Sequence, residues 1–277
     1  MKNFPYTHHS YQGWSILLHR DIRAQEVYGL ISRDGRVCVD GDLFKQMESS
    51  DNARVFSSGL SCNEQTEKVY IKHYLNRSLV DFCKHCFRSS RAERAFRASL
   101  MLRENGFYAP EPLVLMHRKW GPLPGQSVLV TRKSQGEVQL AKLLLNLAGK
   151  DMSAEPERKR QLIGQFGSVV GRMHAKGIIH GDLRLGNVLV QEEGNAFSFW
   201  FIDNESTRRF SRPPSRLVRK NLVQINKYGK VSNTDRMRFL LAYCRERDIQ
   251  VKELKPLLDQ VERKTIAWRI KKGKTPG

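Results

Sequence analysis

Residues 178–190 read Ile-Ile-His-Gly-Asp-Leu-Arg-Leu-Gly-Asn-Val-Leu-Val. Just upstream, Leu162, Phe166, Val169, Val170 and Met173 recur at helical spacing, and Gly177 ends the segment. Just downstream, the apolar runs 187–190 and 197–202 are joined by Glu192-Glu193-Gly194-Asn195, a turn composition that predicts a β-hairpin. The second run ends in Ile202-Asp203. A polar loop with one acid, and an amide five residues on, is therefore bracketed by a helix and a hairpin. The hairpin returns a second acid towards the loop. His-Gly-Asp alone says little, because a loop aspartate is usually a turn or cap residue. The weight lies in the ordered set.

That set resembles the catalytic loop of the protein-kinase-like superfamily, H-x-D-x-x-x-x-N followed by strand, loop, strand and a metal-binding Asp. The resemblance implies an α+β fold of two lobes with a cleft between them. The N-lobe, 1–133, would be a β-rich nucleotide-binding sheet with one helix. The mainly helical C-lobe, 134–277, would carry the catalytic loop, the metal site and acceptor-binding helices. ATP and Mg²⁺ follow as cofactors. Asp182 would accept the proton of an acceptor hydroxyl, and Asn187 and Asp203 would share one Mg²⁺. Two protein oxygens plus nucleotide phosphates suit Mg²⁺, which rarely sits in an all-protein cage.

Such a fold also demands a strand lysine on the α/β-phosphates and a helix glutamate to hold it. Val69-Tyr70-Ile71-Lys72 alternates apolar positions and supplies Lys72. Glu93 is the nearest acid on the following helix, although, three residues after Ser90, it equally suits a capping box. A glycine-rich loop is missing. Glu48-Ser49-Ser50-Asp51-Asn52-Ala53-Arg54-Val55-Phe56 stands in its place, where small polar residues could present backbone N–H groups to phosphates.

Working outward, Gly35–Val39, Arg54–Phe56 and Lys68–Tyr74 read as short strands. Ala92, Phe96 and Leu100 predict a helix that Asn105-Gly106 stops, and Pro110 and Pro112 bar its restart. Val128–Thr131 is a further strand, and Leu140, Leu143, Leu144 and Leu147 mark one side of another helix. Beyond Asp203 the chain reads as mostly helical. The join between a β-rich and a helix-rich part falls near 132–136.

Composition narrows the classes. The 277 residues carry 48 Lys+Arg against 28 Asp+Glu, a net charge of +20. That excess favours an anionic partner. No acid occurs from Thr207 to Thr234, while Arg208, Arg209, Arg212, Arg216, Arg219, Lys220, Lys227 and Lys230 do. The tail adds Arg263, Lys264, Arg269, Lys271, Lys272 and Lys274, which read equally well as a solvated, frayed basic end. No recognition helix, zinc finger or RNA-binding aromatic strand is legible, so no nucleic-acid partner is expected. No apolar run approaches the roughly 18 residues of a membrane span, and the N-terminus lacks an apolar signal core. A cytoplasmic location is expected, with peripheral membrane contact allowed. Cys38, Cys62, Cys83, Cys86 and Cys244 are scattered and odd in number, which suits reduced thiols. Cys83-Lys84-His85-Cys86 has no second half to complete a zinc site.

Further details narrow the superfamily. His-Gly-Asp replaces His-Arg-Asp, and Asp203-Asn204-Glu205 replaces Asp-Phe-Gly. Lys72-His73-Tyr74, Ser90-Arg91-Ala92, Gly106-Phe107-Tyr108-Ala109-Pro110-Glu111-Pro112-Leu113, Asn221-Leu222 and 235–243 are similar to the lipopolysaccharide kinase (Kdo/WaaP) family. The similarity covers roughly 45–245. It implies transfer of the γ-phosphoryl of ATP to a heptose or Kdo hydroxyl of the lipopolysaccharide inner core, at the cytoplasmic face of the inner membrane. The basic block 208–230 would then draw an anionic core acceptor. A kinase for a protein or another small molecule, or a kinase-like fold that binds without catalysis, are the competing expectations.

Overall fold

The structure is a computed structural model that describes residues 4–38, 44–47, 53–62, 65–74, 89–120, 123–147, 155–229 and 231–273. The fold is kinase-like, an antiparallel sheet followed by a mostly helical region. The chain divides into two compact units, Met1–Met101 with Pro110–Ser134, and Leu102–Ala109 with Gln135–Gly277. The segment 102–109 groups with the second unit although two strands of the first unit follow it in the chain.

The first unit is built on β1 (Tyr6–Tyr11), β2 (Trp14–His19), β3 (Lys45–Met47), β4 (Ala53–Cys62), β5 (Gln65–Tyr74), β6 (Pro112–Trp120) and β7 (Leu123–Arg132). These form one antiparallel sheet in the order β1-β2-β6-β7-β5-β4-β3. The two-residue alternation of side chains assigns Val69 and Ile71 of β5 to one face, with Trp14, Ile16, Leu113, Met116 and Val130. Tyr74 belongs to the other face, with Phe96 and Ala92 of the helix α2 (Arg91–Glu104). A short helix, α1 (Ala24–Tyr28), precedes β3, and its Val27 is buried in the first of these cores. Arg132 ties the sheet ends together by pairing with Glu67, Asp21 and Glu111. The run Gly35–Val39, expected as a strand, supplies only the single bridge Ile31↔Val37 among its described residues. The Gly35 carbonyl is taken by Trp14 Nε1 (2.9 Å) and by Arg118, so it is spent on side chains instead of a ladder. Glu48–Asn52 and the Cys83–Cys86 motif lie outside the described residues.

The second unit packs α3 (Leu140–Asn146), α4 (Glu155–Ala175), α5 (Ser215–Asn226), α6 (Asn233–Glu246) and α7 (Val251–Lys271) around small sheets. β8 (Val138–Gln139) joins the hairpin β10 (Val188–Glu193) and β11 (Ala196–Phe201). β9 (Ile178–Ile179) pairs with β12 (Arg208–Arg209). α4 buries Leu162, Ile163, Phe166, Val170 and Met173, and each such side chain contributes about 1.5–3 kcal/mol by leaving water. Gly177 (φ +75°) ends the helix region, with Phe210 O 1.9 Å from where its Cβ would lie, so only glycine fits. The basic tail is not frayed up to Lys271. It forms α7, and Arg269 is buried there because the helix turns that face onto α5.

Candidate active site

The loop 180–187 is pinned at both ends. β9 pairs Ile178 and Ile179 with Arg209 and Arg208, and beyond the hairpin the Ile202 N–H donates to Asn187 O (3.0 Å). The chain entering the loop is thereby held beside the chain leaving Asp203. Asn187 is not the first strand residue, as its sequence suggested. It closes a 3-10 turn, Leu185–Asn187, and its N–H donates to Arg184 O (2.8 Å). That turn frees its side chain to fold back on the loop.

His180 joins the two segments. It is fully buried, and its Nδ1 accepts from the Asp182 N–H (3.2 Å). Its Nε2 faces Ile202 O (3.2 Å) and Asn204 Oδ1 (3.1 Å), both acceptors, so the proton sits on Nε2. Asn204 in turn donates to Phe201 O (2.9 Å). Burial pushes the His180 pKa down, against the hydrogen bond to Ile202 and the charges of Asp182 and Asp203. One neutral imidazole thus lies within the fields of both carboxylates.

Asp182 is half-buried and amply ligated. Its Oδ2 accepts from Arg184 Nε (2.9 Å) and Asn187 Nδ2 (3.2 Å), and its Oδ1 accepts from Gln224 Nε2 (2.7 Å). Asn187 Nδ2 also donates to Asp182 O (2.9 Å). With its amide nitrogen so committed, Asn187 keeps Oδ1 as the oxygen it can offer a cation. Asp203 is exposed and left-handed (φ +61°, ψ +46°), a conformation of order 1 kcal/mol uphill for a non-glycine residue. That kink turns the chain sharply out of β11.

Helix α5 supplies partners that the loop sequence does not name. Asn221 Nδ2 donates to His180 O, and Lys220 Nζ donates to Gly181 O (2.7 Å). Behind them runs a chain of buried polar groups. Arg247 donates to Tyr243 OH (2.8 Å), Tyr243 OH meets His174 Nδ1 (2.9 Å), and His174 Nε2 meets Asn221 Oδ1 (3.1 Å). Burial pushes the His174 pKa down to about 4, so it is neutral in this chain. Lys227 Nζ stands 4.6 Å from the Trp268 ring. Its pKa is lowered by burial, with Asp182 opposing and Arg184 reinforcing the shift, which places it among the charges of the site. Asn221 was noted in the sequence as part of Asn221-Leu222. Gln224 and Arg184 were missed. The signal for Gln224 was a polar position on an α5 face that also carries Lys220 and Lys227, at i, i+4 and i+7.

In the first unit, Lys72 lies on β5 on the face that α2 covers, with Nζ 5.2 Å from the Tyr74 ring. Glu93 stands in the first turn of α2. Its N–H donates to Ser90 Oγ (3.1 Å), and its carboxylate pairs with Arg97 (2.5 Å). The glutamate is therefore engaged along its own helix in this structure.

For a divalent cation the site offers hard oxygens, the Asn187 amide and the Asp203 carboxylate. Among the described residues no group of three His, Cys, Asp or Glu forms a complete cage. The chemistry of two protein oxygens, to be completed by phosphates and water, would suit Mg²⁺ better than a metal that demands a closed site.

The sequence model of the lipopolysaccharide kinase (Kdo/WaaP) family matches residues 41–243. Among solved structures, one described as WaaP in complex with acyl carrier protein is similar over 80% of this chain and 87% of that one, at 20% identity and a TM-score of 0.61. A ROP18 kinase domain in complex with AMP-PNP and sucrose is similar over 61% of this chain and 54% of that one, at 15% identity and a TM-score of 0.42. No curated protein matches the chain.

Proposed function

Because the chain belongs to the lipopolysaccharide kinase (Kdo/WaaP) family, we propose that it transfers the γ-phosphoryl group of ATP to a sugar hydroxyl, heptose or Kdo, of the lipopolysaccharide inner core. The observation that carries this reading is the junction at His180. One buried imidazole ties the Asp182 loop to the segment bearing Asp203, and Asn187 reaches back to Asp182. Asp182 takes the proton of the acceptor hydroxyl, the freed oxygen bonds to the γ-phosphorus, and ADP leaves with the electrons of the broken P–O bond. Asn187 and Asp203 would hold Mg²⁺, which when bound neutralises phosphate charge. Lys72 would meet the α/β-phosphates, with Glu93 its partner once released from Arg97.

The charge distribution supports an anionic acceptor. Arg208, Arg209, Arg212, Arg216 and Lys220 are exposed on the stretch after Asp203. The same surface suits the anionic cytoplasmic leaflet of the inner membrane, and no helix among the described residues is long and apolar enough to cross a membrane. An acyl carrier protein is a candidate partner, as for the solved WaaP. A cavity of about 310 Å³ in the helical unit offers an acyl chain Leu144, Phe166, Leu222, Leu240 and Val261, although Asp235, Arg236, Glu262 and Arg269 line it too. An acyl-loaded carrier should raise the melting temperature where the unloaded one does not.

Mass spectrometry of core sugars from cells with and without the gene tests the main reading. The expected result is the loss of one phosphate from the inner core. An unchanged core would overturn it.

A further inference from the structure

We propose that Gln224 is a positioning residue for phosphoryl transfer, acting through Asp182; this rests on the assignment of Asp182 as the proton acceptor. The Gln224 side chain is used at both ends. Its Nε2 donates to Asp182 Oδ1 (2.7 Å), and its Oε1 accepts from the Leu183 N–H (3.0 Å) and from Asn221 Nδ2 (3.4 Å). One amide therefore grips the carboxylate and the backbone just after it, from a helix position 41 to 42 residues further along the chain.

The division of labour on the carboxylate matters. Arg184 and Asn187 both reach Oδ2, and both belong to the loop that carries Asp182. If the loop shifts, they shift with it. The Oδ1 contact comes from α5, which is anchored separately. Asn221 of α5 binds His180 O, and its Oδ1 is held by His174, itself locked by Tyr243. Gln224 is thus the hydrogen bond that fixes the rotation of the carboxylate relative to the helical scaffold. The oxygen facing an acceptor hydroxyl must be set to a fraction of an ångström, because misplacement by about 1 Å costs on the order of 100-fold in rate.

The substitution Gln224→Glu separates positioning from mere support. A carboxylate there still accepts from the Leu183 N–H and Asn221 Nδ2, but it cannot donate to Asp182 and repels it. Below its own ionisation the introduced carboxyl can donate again, and a neighbouring carboxylate moves that ionisation upward.

The experiment measures transfer from ATP to chemically dephosphorylated inner-core lipopolysaccharide by the full chain, unaltered and as Gln224→Glu, Gln224→Ala and Asp182→Ala. Nucleotide affinity and melting temperature are recorded alongside. The proposal expects both Gln224 variants to lose roughly 10- to 100-fold in kcat with KM for ATP within about twofold. It also expects the deficit of Gln224→Glu, relative to the unaltered protein, to narrow as pH falls. Full activity of Gln224→Glu at neutral pH, with Asp182→Ala inactive, would overturn the role of Gln224 and leave the kinase reading standing. So would a deficit that does not change with pH. An active Asp182→Ala, or no transfer by the unaltered protein, would overturn both. Should Gln224→Ala fail to fold, Gln224→Glu alone decides.

Discussion

Gly181 occupies the position where many kinase-like loops carry arginine. A Cβ there would lie 2.1 Å from Ser206 Cβ and 2.5 Å from Ser206 O, so the two loops touch backbone to backbone. Gly181→Ala must push the 203–206 segment away from Asp182. On the proposed roles of Asp182 and Asp203, the expected result is a fall in kcat of roughly 10- to 100-fold, because the two groups assigned to one substrate move apart. Steady-state kinetics would reveal it, and unchanged kcat would mean that the segment can retreat without consequence. The two acids themselves have distinct expected effects. Asp182→Ala should reduce turnover by about 10²- to 10⁴-fold, the usual worth of a general base, with ATP binding intact. Asp203→Ala should instead remove the Mg²⁺-dependent part of nucleotide binding in calorimetry. Near-normal transfer by the first variant would misplace the base. His174 sets a pH limit. Burial holds its pKa at about 4 against an ordinary 6.5, so between those values the unfolded chain binds a proton that the folded chain refuses. The resulting stability is complete above pH 6.5 and is lost as pH falls towards 4, by on the order of 3 kcal/mol. Burial lowers His180 in the same direction. Denaturant midpoints taken from pH 7.5 down to 5 should therefore decline, and a flat series would contradict the buried-neutral state.

Among the elements, α4 and α6 approach unusually closely because two glycines permit it. A Cβ on Gly167 would stand 2.4 Å from Phe239 O, and one on Gly171 would stand 2.7 Å from Tyr243 O. Gly167→Ala gains about 1 kcal/mol of helix propensity but forces backbone against side chain, a strain that typically costs 1–3 kcal/mol or more when the obstacle is main chain. The clash should win, with a net loss of about 1–2 kcal/mol and a melting temperature lower by about 2–8 °C. Calorimetry would settle the sign, since a raised melting temperature would mean the helices part freely. Because Tyr243 sits in this contact and binds His174, the crossing also sets where Asn221 stands beneath His180. Element types were legible from periodicity, as the apolar stripe of α4 and the turn before β11 illustrate. The failures were local. The described part of the run, residues 35–38, did not become a strand, because side chains claimed the Gly35 carbonyl. Asn187 left the strand for a 3-10 turn, because its N–H found Arg184 O.

At the scale of the whole molecule the charge of +20 is the dominant property. Each Lys or Arg near an anionic leaflet is worth about 1 kcal/mol, and the attraction fades within a Debye length of about 10 Å at 0.1 M salt. Binding to phosphatidylserine vesicles should therefore be strong at low salt and weak at high salt. Replacing Arg208, Arg209 and Arg212 together by glutamine should lower it by roughly 100-fold, the equivalent of about 3 kcal/mol. Co-sedimentation that ignores both salt and these substitutions would refute a charge-driven contact. What the sequence determined by itself was everything that depends on neighbours in the chain: the helix, loop and hairpin around His-Gly-Asp, the strand that carries Lys72, and the basic stretch after Asp203. Local spacing and periodicity encode these, since each is fixed by residues within a few turns or one hairpin of each other. What only the tertiary structure decided was which distant groups meet: Gln224 on Asp182, Asn221 between His174 and His180, Gly181 against Ser206, and Arg97 on Glu93 at the start of α2. All but the last join side chains or backbone that are 25 to 47 residues apart, and no periodicity records such a meeting. Even the last, a pair one turn apart, was a competition between partners that only the folded geometry resolves.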